Sequence, residues 1–308
     1  MVKLHVADRG QARGADPGAR TEPEPCLRPA VHQAISAMHA RYFEPLTLTE
    51  LAAEVYVSPF HFSRIFARAV GVTPGRYLTA VRLFEAKRLL LTTSLTVSDI
   101  VCGVGYSSVG TFTSRFTRAV GMTPTQFRDP EVGELLIALS PRLRRVPSVH
   151  QLRESNVGCV PAPSGGGVVT GHVDVAGTAA NLVIGVFPDA VPQRGPVAFT
   201  GRSDAGSTDF VIEGVPDGEW VVMAVAEHPG PAVTPFTVGS ARCVVRRGSG
   251  TVTRLSLRAP RPTDPPIAIT LAGRQYPTAN HMHAGRPRLR AVAAPGGIRE
   301  VHDVRPAA

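Results

Sequence analysis

Lysine is almost missing from this chain: Lys3 and Lys87 stand alone, and arginine supplies nearly all of its 33 cationic side chains. Cysteine is scarce too. Cys26, Cys102, Cys159 and Cys243 lie far apart with no CxxC pair, which argues against a zinc ribbon or a disulfide framework and fits a reducing cytosol. No apolar run approaches the ~18–20 residues of a membrane-spanning helix, and Met1 to Gln11 has scattered charges in place of a leader's apolar stretch. The expectation is therefore a cytoplasmic protein with no membrane partner. Catalytic signatures are lacking as well: there is no Gly-x-Ser-x-Gly elbow, P-loop, dinucleotide fingerprint or HExxH. No catalytic residue, metal ligand or cofactor is expected, and the chain does not read as an enzyme. His281-Met282-His283 sits in a Pro- and Arg-rich tail and reads as chance composition.

The charge that is present is unevenly placed. The formal net charge is +9, and residues 28–128 hold 11 basic against 5 acidic side chains. Residues 1–27, 129–160 and 161–262 are each balanced, and the tail from 263 holds 6 basic against 3 acidic. An excess concentrated in one hundred-residue stretch suits a surface facing phosphate. The abundance of Ala, Gly, Pro and Arg resembles coding from a GC-rich genome, so charge alone does not single out nucleic acid.

That same stretch contains an internal repeat. Leu46-Thr47-Leu48-Thr49-Glu50-Leu51-Ala52 returns as Leu95-Thr96-Val97-Ser98-Asp99-Ile100-Val101, and Phe66 to Pro74 returns as Phe116 to Pro124. Two copies are too few for a solenoid or propeller and indicate a tandem supersecondary unit. Each copy spells two short helices and a tight turn. Thr47 with Glu50, and Thr96 with Asp99, form capping-box pairs. Ser58-Pro59 and Ser107-Ser108 start the second helices, and Gly71 and Gly121 stop them. Their inner faces are Phe62, Ile65, Phe66 and Val70 in one copy and Phe112, Phe116 and Val120 in the other. A helix from Pro74 to about Leu91, roughly 27 Å long at ~1.5 Å per residue, joins the copies. That length is close to one DNA turn of ~34 Å, so two reading heads can reach successive major grooves. A helix from about Pro29 to Tyr42 precedes them, and Arg82, Lys87 and Arg88 read as a solvated helix face.

The outer faces of the second helices are the candidate reading surface. Copy one presents Phe60, His61, Ser63 and Arg64 for base readout, with Arg64 able to bond a guanine edge through two donors. Copy two presents Val109, Gly110, Thr111, Ser114 and Arg115, a set poor in long polar side chains, so weaker base readout is expected there. Arg68 and Arg118, one turn further along, and Thr47 and Thr96 at the starts of the first helices, are candidates for phosphate contact.

These motifs closely resemble the AraC-type DNA-binding domain, in which two helix-turn-helix units are joined by a long helix. The resemblance rests on Leu51-Ala52-Ala53, Ser58 to Phe66, Gly71 to Leu78, Gly105 to Ser108 and Phe116 to Pro124. It covers about a third of the chain. It implies base-contacting positions at Phe60, Ser63, Arg64, Val109, Gly110 and Ser114, and double-stranded DNA as partner. The family often places this domain last; here it comes first.

The whole chain is expected to be multidomain. A disordered arm (1–27) precedes an all-α tandem helix-turn-helix domain (28–130), a linker (131–166) with one short helix around Glu131–Leu139, a small all-β antiparallel sandwich (167–260) and a mostly disordered tail (261–308). Strands are expected near 168–175, 180–187, 197–200, 209–213, 220–227 and 251–257. Pro216-Asp217-Gly218 is a turn between two of them, and its setting is similar to the carboxypeptidase-regulatory, transthyretin-like sandwiches. The leading expectation is a sequence-specific transcription regulator whose β-domain senses a small-molecule effector or associates, with a homodimer and RNA polymerase as further partners. The competing reading is a protein-interaction scaffold that uses both modules without specific DNA readout. An enzyme on the β-domain is the remotest alternative.

Overall fold

The computed structural model describes residues 28–140, 142–154, 166–230 and 236–272. The expected arm, 1–27, lies outside these residues, as does nearly all of the tail beyond Ala272.

The helical region runs α1 (Arg28–Ala40), α2 (Leu48–Glu54), α3 (Pro59–Val70), α4 (Pro74–Thr92), α5 (Val97–Gly103) and α6 (Val109–Val120). A 3-10 turn at Gln126–Arg128 and α7 (Pro130–Glu134) follow. The starts are set by caps. Both capping boxes close, Thr47 with Glu50 and Thr96 with Asp99, and Ser58 and Ser108 accept from the third amide of α3 and α6. Gly71 (φ 87°) and Gly121 (φ 92°) end α3 and α6 in the left-handed conformation that glycine adopts without a Cβ clash. The two inter-helix turns solve one problem differently. Gly105 (φ 80°) lies where a Cβ would come within 2.7 Å of the Tyr42 carbonyl oxygen, whereas the first copy sets Tyr56 at φ 56° with its ring 95% exposed.

The β-rich region has three sheets. Strands β1 (Leu136–Ser140) and β2 (Leu143–Arg145) pair with each other, and β10 (Ile267–Thr270) pairs with β1, giving the order β10-β1-β2. Between them in sequence lie a short helix, α8 (Val149–Glu154), and seven strands. These are β3 (Gly167–Asp174), β4 (Ala179–Phe187), β5 (Ala198–Ala205), β6 (Thr208–Val215), β7 (Gly218–Glu227), β8 (Phe236–Val245) and β9 (Gly250–Ser256). They form a three-stranded sheet, β6-β3-β9, in which β9 runs parallel to β3, against the expectation of an all-antiparallel sandwich, and a four-stranded antiparallel one, β5-β4-β7-β8. The Pro216-Asp217-Gly218 turn joins β6 to β7, and the Trp220 indole donates to the Pro216 carbonyl at 2.7 Å. Val169, Val173, Phe210, Ile212, Leu182, Ile184, Val222 and Ala224 fill one core between these two sheets.

The other face of the four-stranded sheet is apolar too. Along β4, Leu182, Ile184 and Val186 belong to the inter-sheet core, while Val183 and Phe187 join a second core built with the helices. Along β7, Trp220, Val222, Ala224 and Ala226 point one way and Val225 the other. That second core takes in Leu83, Phe84 and Leu90 of α4, Ile100, Phe112, Phe116 and Phe127, and Ile137 and Ile269 of the β1–β10 pair. Helical and β-rich regions are thus one packed unit, not two modules on a tether.

Several expectations change accordingly. The segment 131–166, expected as a linker with one short helix around Glu131–Leu139, has that helix as α7 but ends it at Glu134, and continues with β1, β2 and α8, with Leu135 to Ala138 buried. The segment from 261, expected as a mostly disordered tail, contains β10, whose Ala268 and Ile269 are core residues. Leu136-Ile137-Ala138-Leu139 pairs register for register with Thr270 back to Ile267, so each short apolar run needs the distant other one to become a strand. β8 went unread because Gly239, Ser240 and Arg242 interrupt its apolar pattern.

The joining helix also departs from expectation. Lys87 is not on a solvated face: it is fully buried, as are Glu85, Tyr77, Leu78 and Phe84. The Lys87 ammonium donates to the carbonyl oxygen of Gln193 at 2.9 Å, to Gln193 Oε1 at 3.1 Å and to the Ala268 carbonyl at 2.6 Å. Glu85 is held by Arg88 at 2.8 Å and Arg142 at 3.2 Å. Burial pulls the Lys87 ammonium down from 10.5 to about 7, although its three carbonyl partners favour the charged form. A lysine whose folded pKa lies below its unfolded one binds fewer protons when folded. Its contribution to stability therefore rises with pH from about 7 to about 10.5, by at most ~1.4 kcal/mol per unit. Chemical denaturation of the wild type and of Lys87→Met at pH 7, 8 and 9 should show the wild type gaining on the variant at each step. A constant difference would mean that the proton stays on.

Candidate nucleic-acid interface

Helices α3 and α6 are each split lengthwise. Phe62, Ile65 and Phe66 of α3 are buried; Phe112 and Phe116 repeat the two phenylalanines on α6, where Val120 is buried and Arg115, exposed, stands at the place of Ile65. The first set packs with α1, α2 and the start of α4, and the second with α5 and the rest of α4. What remains faces outward. Phe60 is 75% exposed, His61 and Arg64 are exposed, Ser63 is half-buried, and the Arg64 guanidinium lies 6.0 Å from the Phe60 ring centre. On α6, Val109, Gly110, Thr111, Ser114 and Arg115 are all exposed. Each helix thus brings its base-readout candidates together on one open surface near its N-terminus.

Arg68 and Arg118 are exposed one turn further on. Thr47 and Thr96 are exposed as well, but their hydroxyls are already engaged. Thr47 donates to Glu50 at 2.9 Å and Thr96 to Asp99 at 2.6 Å, and each accepts from the backbone amide of that acid. A phosphate approaching either threonine would meet the adjacent carboxylate, so Arg68 and Arg118 are the better placed of the four.

The β-rich region meets the helical region along α4 and at the C-terminal end of α6. The loop between β4 and β5 crosses the helical region in three places. Asp189 pairs with Arg76 at the start of α4, Gln193 accepts from Lys87, and Arg194 donates to the Arg118 carbonyl at 2.8 Å at the end of α6. Sequence reading missed this strap, because Pro188, Pro192, Gly195 and Pro196 break the segment Pro188 to Val197 and leave no periodicity in it. None of these contacts lies at the N-terminal ends of α3 and α6, so the β-rich region leaves the candidate reading surface clear.

A family model described as a helix-turn-helix domain matches residues 51–130. The chain is similar to a helix-turn-helix-type transcriptional regulator of Bacillus subtilis, YobQ, at 32% identity over 32% of this chain and 41% of that one. It is also similar to the melibiose operon regulatory protein of Escherichia coli, at 32% identity over 32% of each chain. Among solved structures, an AraC-type transcriptional regulator from Chromobacterium violaceum is 31% identical over 34% of this chain and 94% of that one, with a TM-score of 0.32. Residues 51–130 are an AraC-type helix-turn-helix domain. The match spans less than half of either curated relative's length, and the family model ends at residue 130, before β1.

The AraC-type domain here depends on two left-handed glycines. Gly71→Ala and Gly121→Ala should each cost ~1–2 kcal/mol in thermal or urea unfolding, because alanine is strained at positive φ. At Gly121 the new Cβ would also lie 3.0 Å from Arg194 Nε, so adding Arg194→Ala should recover part of that variant's loss and none of the Gly71→Ala loss.

Proposed function

We propose that this protein is a sequence-specific, DNA-binding transcription regulator, with α2–α3 and α5–α6 as tandem helix-turn-helix units that enter successive major grooves. One observation carries the reading: both second helices bury one face and leave the N-terminal half of the other open, with Arg64 and Arg68 on one and Arg115 and Arg118 on the other. Nineteen residues of α4 separate the units, a length of ~28 Å at ~1.5 Å per residue. The relatives' descriptions as transcriptional regulators support the same reading. Phe60, His61, Ser63 and Arg64 carry the base readout. Val109, Gly110, Thr111, Ser114 and Arg115 contribute shape and backbone contact, since their side chains, Arg115 apart, are short. Arg68 and Arg118 bind phosphate. We further infer that β3–β9 form a sandwich of the transthyretin-like type, adapted to dock on the helical region.

The test uses the full chain, since Phe84, Phe116 and Phe127 pack against the β-rich region and a fragment ending at 130 would expose them. Affinity for the DNA upstream of its own gene should exceed that for random duplex by ~10³ or more and keep the gap at higher salt. Arg64→Ala should cost ~1–3 kcal/mol at one base position. Arg68→Ala should weaken every sequence alike and flatten the salt slope by ~1. Equal affinity for both duplexes, collapsing together with salt, would leave only a basic patch and favour the scaffold alternative.

A further inference from the structure

A cavity of about 1260 Å³ lies between the helical region and the sheets, somewhat above the ~300–1,000 Å³ usual for small-molecule sites. One wall is α1 and the end of α3, through Ile35, Ser36, His39, Val70 and Gly71. The facing wall is the outer side of the four-stranded sheet and the β1–β10 pair, through Val183, Val221, Met223, Val225, Ile137 and Ile269. Those walls are apolar, but five arginines line the cavity (Arg142, Arg144, Arg242, Arg258 and Arg261) against one carboxylate, Asp264. Asp264 is taken up by Arg258 through two bonds of 2.8 Å, and Arg142 is shared with Glu85. The guanidinium groups of Arg144, Arg242 and Arg261 have no carboxylate partner among the described residues, although the Arg261 backbone amide donates to Asp264 at 2.7 Å. His39 adds no balancing acid; burial first, and then Arg142, hold its imidazole toward the neutral form.

We propose that this cavity binds a small organic anion with an apolar body, an aliphatic or aromatic acid, whose acid group meets the Arg144 and Arg261 guanidinium groups while its body lies on the sheet face. Apolar walls with several arginines and no free carboxylate match an amphipathic acid and disfavour a cation. The two helix-turn-helix units stand differently toward this site. The second shares its core with β1, β4, β7, β8 and β10. The first has its own core, to which the β-rich region contributes Val191 alone among the buried residues, and the cavity separates that unit from the sheet. A bound acid therefore bridges the first unit's α1 and α3 to a body that already holds the second. It sets how the two reading helices are disposed. This coupling rests on the DNA-binding reading above; the binding site itself does not.

Isothermal titration of the full-length protein with decanoate and with 1-anilinonaphthalene-8-sulfonate tests the site, with decyltrimethylammonium as the cationic control. At least one of the two anions should bind with one-site stoichiometry and the cation should not. The Arg144→Glu/Arg261→Glu variant, altered only at exposed side chains, should bind that anion about tenfold or more weakly at unchanged melting temperature. Failure of both anions to bind, or equal binding of the cation, would overturn the assignment. So would anion binding that the double variant leaves intact. Fluorescence anisotropy on the upstream DNA, with and without the bound anion, reads the coupling: a change of about fivefold or more supports it, and no change overturns it while the site stands. If the protein fails to discriminate DNA at all, the regulator reading falls and the titration still decides the cavity.

Discussion

The four-stranded sheet is apolar on both faces, and most of the architecture answers that one constraint. In β4 and β7 successive side chains point to opposite sides, and Leu182 and Val183, like Ala224 and Val225, are buried in different cores. A two-sheet body standing alone would expose Val183, Phe187, Val225 and Phe236 to water. Each such side chain gains ~1.5–3 kcal/mol on burial, so the uncovered face would be a strong site for association. Helix α4, the end of the helical region and the β1–β10 pair cover it instead. The covering strands come from opposite ends of the β-rich sequence, Leu136–Ser140 and Ile267–Thr270, and their pairing closes the region on itself.

Covering the sheet in this way converts the joining helix from a surface element into an internal one. Burial runs all round α4, from Tyr77 and Leu78 on the side of the first unit to Phe84, Ala86 and Leu90 on the other. Its two buried ionisable groups are fully engaged: Glu85 lies between Arg88 and Arg142, and Lys87 Nζ lies within hydrogen-bond distance of three carbonyl oxygens. An apolar pair at these places would pack at least as well, since buried ions lose most of their Coulombic gain to desolvation. The ionic arrangement adds direction. Lys87 is satisfied only where Gln193 and Ala268 present their carbonyls together, which selects one placement of the β4–β5 loop and of β10 against the helix.

How much of this the sequence disclosed depends on whether the signal is local. The caps at Thr47, Ser58, Thr96 and Ser108, the stops at Gly71 and Gly121 and the repeat are all local, and the helices of the structure start and end there. The strands around Val168, Ala180, Trp220 and Thr251 are local too, since each is a bounded apolar run. What could not be read is pairwise. Leu136–Leu139 and Ile267–Thr270 are four-residue runs that become strands only beside each other, 130 residues apart. The burial of Lys87 depends on Gln193 and Ala268, and nothing near Lys87 in sequence marks it. One clue was there: Ala179 to Phe187 has no polar alternation, which a half-exposed antiparallel strand would show, and it signals a strand covered on both sides. The candidate readout residues were legible because an amphipathic helix declares its outer face through its inner one.

The two units of the repeat have diverged in opposite senses, and the divergences are related. The first keeps long or polar outer side chains, His61 and Arg64 among them, and has little core in common with the sheets. The second has Val109, Gly110 and Thr111 at the corresponding turn of α6, and its core merges with the sheets through Phe112, Phe116 and Phe127. A unit fused to a large rigid body is held in place by that body and needs few base contacts of its own. On the proposed reading, its work on DNA is to supply a fixed anchor, with Arg118 on phosphate. On the same reading, discrimination falls to the first unit, the one whose core is shared least with the sheets. On the proposed reading, sequence recognition and susceptibility to control reside in the same unit, because an adjustable placement of Arg64 matters only where Arg64 reads a base.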